Sequence, residues 1–367
     1  MILPRILFLS VIFLCDLALS AQVIESSGSG RWNQTGTWVG GVVPAAGDSV
    51  LIIDGHDITL RSVQACEVII IEGTSKIRIN AGNSLTCDSI IFKPTAINKT
   101  FSADVRGNAL WRANYFQADI NSDNSSIAML GMGRLYIDND VNIISNAVGA
   151  SVTAGVPLIC RDLTLRTLTG GNGLAFAAND SLFTRDIVID VQGTSLSANT
   201  TMTTSSQASV IAMTGSFSFP QNSGQVISSA SKGILLLDAN ASLSDYADLQ
   251  YPTIEIRTGT CSLNTDILNS QFLGDITVDL GATLFTGGNN LTIQQGNLIV
   301  NGTLSMNDGD SLIFSGSNAH TISGTGSMII PNLIVNLVAS SLTVNDSVII
   351  REELSVLNGG LVTNDLI

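Results

Sequence analysis

Four leucines set a ruler along the chain. Leu291, Leu312, Leu333 and Leu354 stand 21 positions apart, and two places after each lies Ile293, Phe314, Val335 or Val356. The triplets read LTI, LIF, LIV and LSV. Alternation at period 2 points the first and third residues of a strand to one face, and recurrence about every 21 residues stacks such strands over one another. This is the pattern of a parallel β-solenoid, in which Leu312 and Leu333 point into the core and touch across adjacent coils. The same interval separates Cys66 from Cys87, and Ile69 and Ile71 then fall on Ile90 and Phe92.

A solenoid lengthens without enlarging its core, so the 367 residues read as one elongated domain rather than two globular ones. Short strands are predicted at Val50–Ile53, Val68–Ile71, Ile90–Phe92, Leu135–Ile137, Leu163–Leu165, Ile187–Ile189, Leu235–Leu237, Ile254–Ile256 and Ile276–Val278, separated by Gly, Asn, Asp and Ser turns. Residues 93–134, with Trp111, Tyr115 and Phe116 close together, are the least regular and read as a packed loop or lateral excursion. About 300 residues at about 21 per coil give about 14 coils, and at about 4.8 Å per coil a rod on the order of 70 Å long.

Residues 1–21 have the layout of a secretory signal: Arg5, an apolar run from Ile6 to Leu14, and Leu19-Ser20-Ala21 before an expected cleavage. Cys15 follows the bulky Leu14, which argues against a lipid-modified cysteine. Residues 22–60 then read as a linker, an N-terminal cap and the first coil, and residues 61–367 as the parallel β-helix. The final segment from Leu361 stops in strand-like sequence without a polar cap, which reads as a truncated solenoid. No later stretch is apolar and long enough to cross a bilayer as a helix.

Within the cap, Trp32 and Trp38 are large plates suited to covering the open end of a stack, and Gly40, Gly41 and Pro44 make the turns that bring the chain round. The phrase W-x5-W-x-G-G-x-x-P-x-x-G-D, from Trp32 to Asp48, is followed by an apolar strand and Gly55-His56. It resembles the start of secreted β-helical surface proteins of Bacteroidota, often exported by the type IX system, and is similar to the eight-glycine extracellular domain. Ala319-His320-Thr321-Ile322-Ser323-Gly324 and Asn332-Leu333-Ile334-Val335-Asn336 resemble the filler repeats of the same proteins. The resemblance covers residues 31–92 and 289–367. It implies a right-handed parallel β-helix, secreted or displayed at the cell surface, adhesin-like or structural, with extracellular glycans or other surface proteins as partners.

The net charge of -14 repels phosphate backbones, and no cluster of Lys and Arg stands out in the sequence, so nucleic acid is not an expected partner. The alternative to a stalk is a polysaccharide lyase or hydrolase, or a carbohydrate-binding module, on the same scaffold. β-Helical enzymes that cut acidic polysaccharides gather carboxylates on one outward face, often with Ca²⁺ and a basic residue. Asp48 is tempting, but Asp-Ser before an apolar strand recurs at Asp88, Asp180, Asp310 and Asp346, which marks a turn-former. His56 and His320 lie too far apart to share a site, and His56 reads as the polar tip of a turn. Asn307-Asp308-Gly309-Asp310 and Asp138-Asn139-Asp140 offer oxygens to Ca²⁺ but lack the ligand series of known loops. Asn33, Asn98, Asn124, Asn179 and Asn301 begin glycosylation sequons, relevant only in a eukaryotic secretory route.

Cys66, Cys87, Cys160 and Cys261 form neither a disulfide scaffold nor a C-x-x-C metal pattern. The interval of 21 places Cys66 and Cys87 on adjacent coils. That spacing admits a bridge or a stack of two buried thiols. The expected chain therefore has no catalytic, cofactor-binding or metal-ligating residue, and any groove with three or more close carboxylates and an Arg or Lys would favour the enzyme.

Overall fold

The structure is a computed structural model that describes residues 22–94, 97–168, 174–191, 200–204, 210–214, 217–218, 225–226, 234–238, 241–245, 250–268, 271–272 and 274–363. The proposed signal segment, 1–21, and the last four residues lie outside the described residues. Nearly every described element is a β-strand; two short 3-10 turns, Thr35–Thr37 and Val39–Gly41, are the exceptions. Strands stack in parallel into a 25-stranded sheet, a 9-stranded sheet and a 2-stranded sheet, forming a β-solenoid of about 12 turns. Among the described residues no helix is long and apolar enough to cross a membrane.

The ruler holds as a register. Leu291, Leu312 and Leu333 pair in succession, as do Ile293, Phe314 and Val335, and all six are buried. Leu354 and Val356 continue the ladder but are 39% and 45% exposed, because no described coil lies over the strand Ile349–Thr363. Cys66 follows Ala65, which pairs with Thr86, so Cys66 and Cys87 face each other across adjacent strands. Their backbones join through the Cys66 N–H and the Thr86 carbonyl at 3.1 Å.

Each predicted strand is present, with Val50–Ile53 realised as Ser49–Ile52. The irregular reading of residues 93–134 is corrected: Thr100–Val105, Leu110–Ile120 and Ser126–Gly131 stack in register with their neighbours. Their inward set, including Phe101, Ala103, Trp111, Ala113 and Ala118, mixes aromatic and alanine residues. Large and small inward side chains fill one layer between them, and the alanines hide the apolar alternation.

Coil length is also less uniform than a ruler of 21 suggests. Ser49 pairs with Val68, 19 residues on, whereas Leu110 pairs with Arg134, 24 on, and Leu182 with Ile211, 29 on. Fewer and longer coils follow, so the rod is on the order of 60 Å at about 4.8 Å per coil rather than 70 Å. Loops absorb the differences while strand phase survives. A single outward column therefore runs through Thr86, Arg112, Tyr136, Ile159, Phe183, Ala212, Leu236, Glu255, Thr277, Ile299 and Ser323. At tight corners only glycine fits: a Cβ on Gly302 would meet the Asp279 carbonyl oxygen at 2.2 Å.

At the N-terminal end Trp32 and Trp38 are both buried and pack edge to face, centroids 5.2 Å apart. The Trp38 indole N–H donates to the Trp32 carbonyl at 2.6 Å, and the Trp32 indole N–H to the Pro44 carbonyl at 3.4 Å.

Candidate functional site

One corner of the larger sheet carries a ladder of paired charges. In the strand Ser84–Lys93 the buried residues are Leu85 and Cys87, then Ile90 and Phe92. The step of three in place of two turns both Asp88 and Ser89 outward and bends the strand. A step of three recurs after Ala113, Cys160 and Thr184 and a step of four after Ile137, and each time polar residues occupy the convex side: Asn114-Tyr115, Arg161-Asp162, Arg185-Asp186 and Asp138-Asn139-Asp140. Stacking coils then aligns these corners into a ladder.

The ladder is knit by arginines reaching along the axis. Arg112 grips Asp138 with Nε at 2.9 Å and Nη2 at 2.8 Å, and its guanidinium lies 5.3 Å from the Tyr136 ring centroid. Arg161 donates to Asn139 at 3.0 Å, to Asp140 at 2.7 Å and to Asp162 at 3.2 Å. Arg185 reaches Asp162 at 2.7 Å and Asp186 at 2.8 Å. Hydrogen bonds to these carboxylates raise the pKa of all three guanidinium groups, foremost through Asp138, Asp140 and Asp186 respectively. The pairs are half open to solvent, so screening leaves them more important for order than for stability.

Toward the N-terminus the arginines stop and the acids continue as Glu67 and Asp88. Here a groove of about 350 Å³ is lined by Cys66, Glu67, Cys87, Asp88, Arg112 and Asp138, among others. Asn114 donates to Asp88 at 2.6 Å. Three carboxylates and an arginine thus share one groove, an arrangement the sequence did not reveal. The readable signal was a second ruler: Asp138, Asp162 and Asp186 are 24 apart, and Arg161 and Arg185 each precede an Asp.

At the floor of the groove Cys66 and Cys87 are free thiols, both buried. The hydrogen bond to Cys87, then burial, pushes the Cys66 pKa up, so Cys66 stays protonated and is a poor nucleophile. Burial likewise pushes Cys160 and Cys261 to about 12. Farther along the rod Glu255 is raised, first by desolvation and then by the neighbouring Asp279 charge, while Arg257 beside it is bound to Asp238.

The Asp-Ser residues do serve turns and coil contacts. Asp48 accepts the Ala45 N–H at 2.8 Å, Asp346 the Gly324 N–H at 2.8 Å, and Asp180 the Ser181 hydroxyl at 3.1 Å. The most buried of them, Asp310, accepts the Asn307 N–H at 2.9 Å and the Gly288 N–H at 3.2 Å, tying two coils. Asp88 differs in sitting at the ladder corner.

His56 does more than tip a turn: its Nδ1 meets the Ser26 hydroxyl at 2.7 Å, and that oxygen accepts the Ile53 N–H at 2.9 Å. Ser26 is fully buried, so this pair clamps the first strand and offers no accessible nucleophile. His320, far along the rod, is buried with Nδ1 at 2.6 Å from the Gly296 carbonyl and its ring against Phe314. Among the described residues no group of three His, Cys, Asp or Glu is placed to hold a metal ion, and the Asp138 and Asp140 oxygens are held by Arg112 and Arg161. No protein-family model, no curated protein and no solved structure matches the chain.

Proposed function

We propose that the chain is a non-enzymatic, secreted or cell-surface β-solenoid, acting as an adhesin-like or structural stalk. The observation that carries this reading is the closed ladder: Arg112, Arg161 and Arg185 are each committed to aspartates of their own or an adjacent coil. A cation held in this way joins coils and is withdrawn from a substrate. The resemblance of residues 31–92 and 289–367 to secreted β-helical surface proteins supports the same reading.

A second reading, a polysaccharide lyase or hydrolase, is favoured by Glu67, Asp88, Asp138 and Arg112 lining one groove. General acid and base groups on one substrate bond require such a gathering. The two are separated by incubating purified residues 22–367 with neutral and acidic polysaccharides, with and without Ca²⁺, and following chain length and unsaturated products. The expected result is no turnover. Turnover abolished by Asp88→Asn with the fold intact would replace the stalk by the enzyme.

A further inference from the structure

The nine-stranded sheet inverts the charge of the molecule. The chain carries a net charge of -14, yet the outward side of this sheet's first strands gathers Arg31, Arg61, Lys76, Arg78 and Arg106 against Asp57 and Asp104. Parallel register makes the grid: Asp57 pairs with Lys76 and Lys76 with Ser102, while Arg31 pairs with Thr59, Thr59 with Arg78 and Arg78 with Asp104. Ile58, Leu60, Ile77 and Ile79 alternate inward and are buried, so the polar set has only the outside to occupy. Arg61 and Arg106 continue the outer edge just beyond Leu60 and Val105.

Two further observations make this a surface for a ligand. The grid is concave, a groove of about 160 Å³ whose lining includes Asp57, Thr59, Lys76, Arg78, Ser102 and Asp104. Its cations are also less committed than those of the corner ladder: Arg31, Arg61 and Lys76 are exposed and form no ion pair among the described residues, while Arg78 and Arg106 share the single Asp104 at 3.2 Å and 2.6 Å.

We propose that this face binds a carboxylated polysaccharide lying along the solenoid axis. Lys76, Arg78 and Arg31 neutralise its carboxylates, while Thr59, Ser102, Asp57 and Asp104 exchange hydrogen bonds with its hydroxyls. Coils about 4.8 Å apart repeat these partners along the axis, which suits a polymer better than an isolated ion. Nucleic acid fits less well: Asp57 and Asp104 would face closely spaced phosphates, and no aromatic side chain lines the groove for a base to stack on. The proposal is independent of the choice between stalk and enzyme, since it concerns binding on a different face from the corner ladder.

The test is the affinity of the purified chain for polygalacturonate, measured by affinity electrophoresis and calorimetry, with dextran as the uncharged control and duplex DNA as the phosphate polyanion. Binding to polygalacturonate that weakens as salt rises is expected, with none to dextran. The Lys76→Gln/Arg78→Gln variant should bind at least about tenfold more weakly, a loss of about 1.4 kcal/mol. Arg351→Gln, which removes one charge at the far end, should match the parent. A second variant, Arg61→Gln/Arg106→Gln, keeps the test available if the first is misfolded by circular dichroism, and should also bind more weakly. No binding at low salt, binding unchanged in a folded variant, or equal affinity for duplex DNA would overturn the proposal.

Discussion

Leu312→Asp is expected to unfold the coils around it, costing on the order of 4 kcal/mol or more. Leu312 has no exposed surface and is sandwiched in register between Leu291 and Leu333, with Phe314 two places on. An aspartate there loses the packing of a core leucine and brings a carboxylate into a layer with no cation to pair it. In a solenoid each coil leans only on its neighbours, so the damage should begin locally and spread. Ile313→Asp is the internal control, because Ile313 points outward from the same strand; its cost should stay below about 1 kcal/mol. Urea unfolding followed by circular dichroism measures both, and equal losses at the two positions would refute the inward phase of the ruler.

Trp38→Ala carries the next largest effect, about 3–5 kcal/mol. It removes an indole 2% exposed, opens the edge-to-face contact with Trp32 and leaves the Trp32 carbonyl without its 2.6 Å donor. The first coil, Ser49–Ile52 and Asp57–Leu60, would then lose its cover. Trp38→Phe keeps most of the ring surface and should cost less, mainly the hydrogen bond, about 1 kcal/mol. Hydrogen exchange locates the effect: protection should fall first in residues 49–60 and last in the coils near Leu312. Loss of protection spread evenly along the chain would contradict an end-capping role for this pair.

The sequence exposes the stacking direction but not its full course. Leu291, Leu312 and Leu333 advertise the fold because their coils happen to be equal in length and their inward residues are uniformly large. Residues 93–134 conceal it, since Ala103, Ala113 and Ala118 stand where a pattern search wants leucine, and the coils there are longer. The corner ladder is legible afterwards as Arg-Asp at an interval of 24, yet only the strand bends show that Asp138, Asp140 and Asp162 face outward together. The basic face is hidden for a different reason. Arg31, Arg61, Lys76, Arg78 and Arg106 are separated by unequal loops, and no interval links them until register places them side by side.

The most direct test of the stacked-coil account is a series of distances down one outward column. Probes carried on genetically encoded non-natural amino acids, which leave the native thiols alone, would be placed at Ser323 and in turn at Thr277, Leu236, Phe183 and Tyr136. These positions lie two, four, six and eight coil steps from Ser323. The account predicts separations that rise linearly with the number of coils, at about 10, 19, 29 and 38 Å between backbones. Separations that level off, or that follow the number of intervening residues instead of the number of coils, would contradict it.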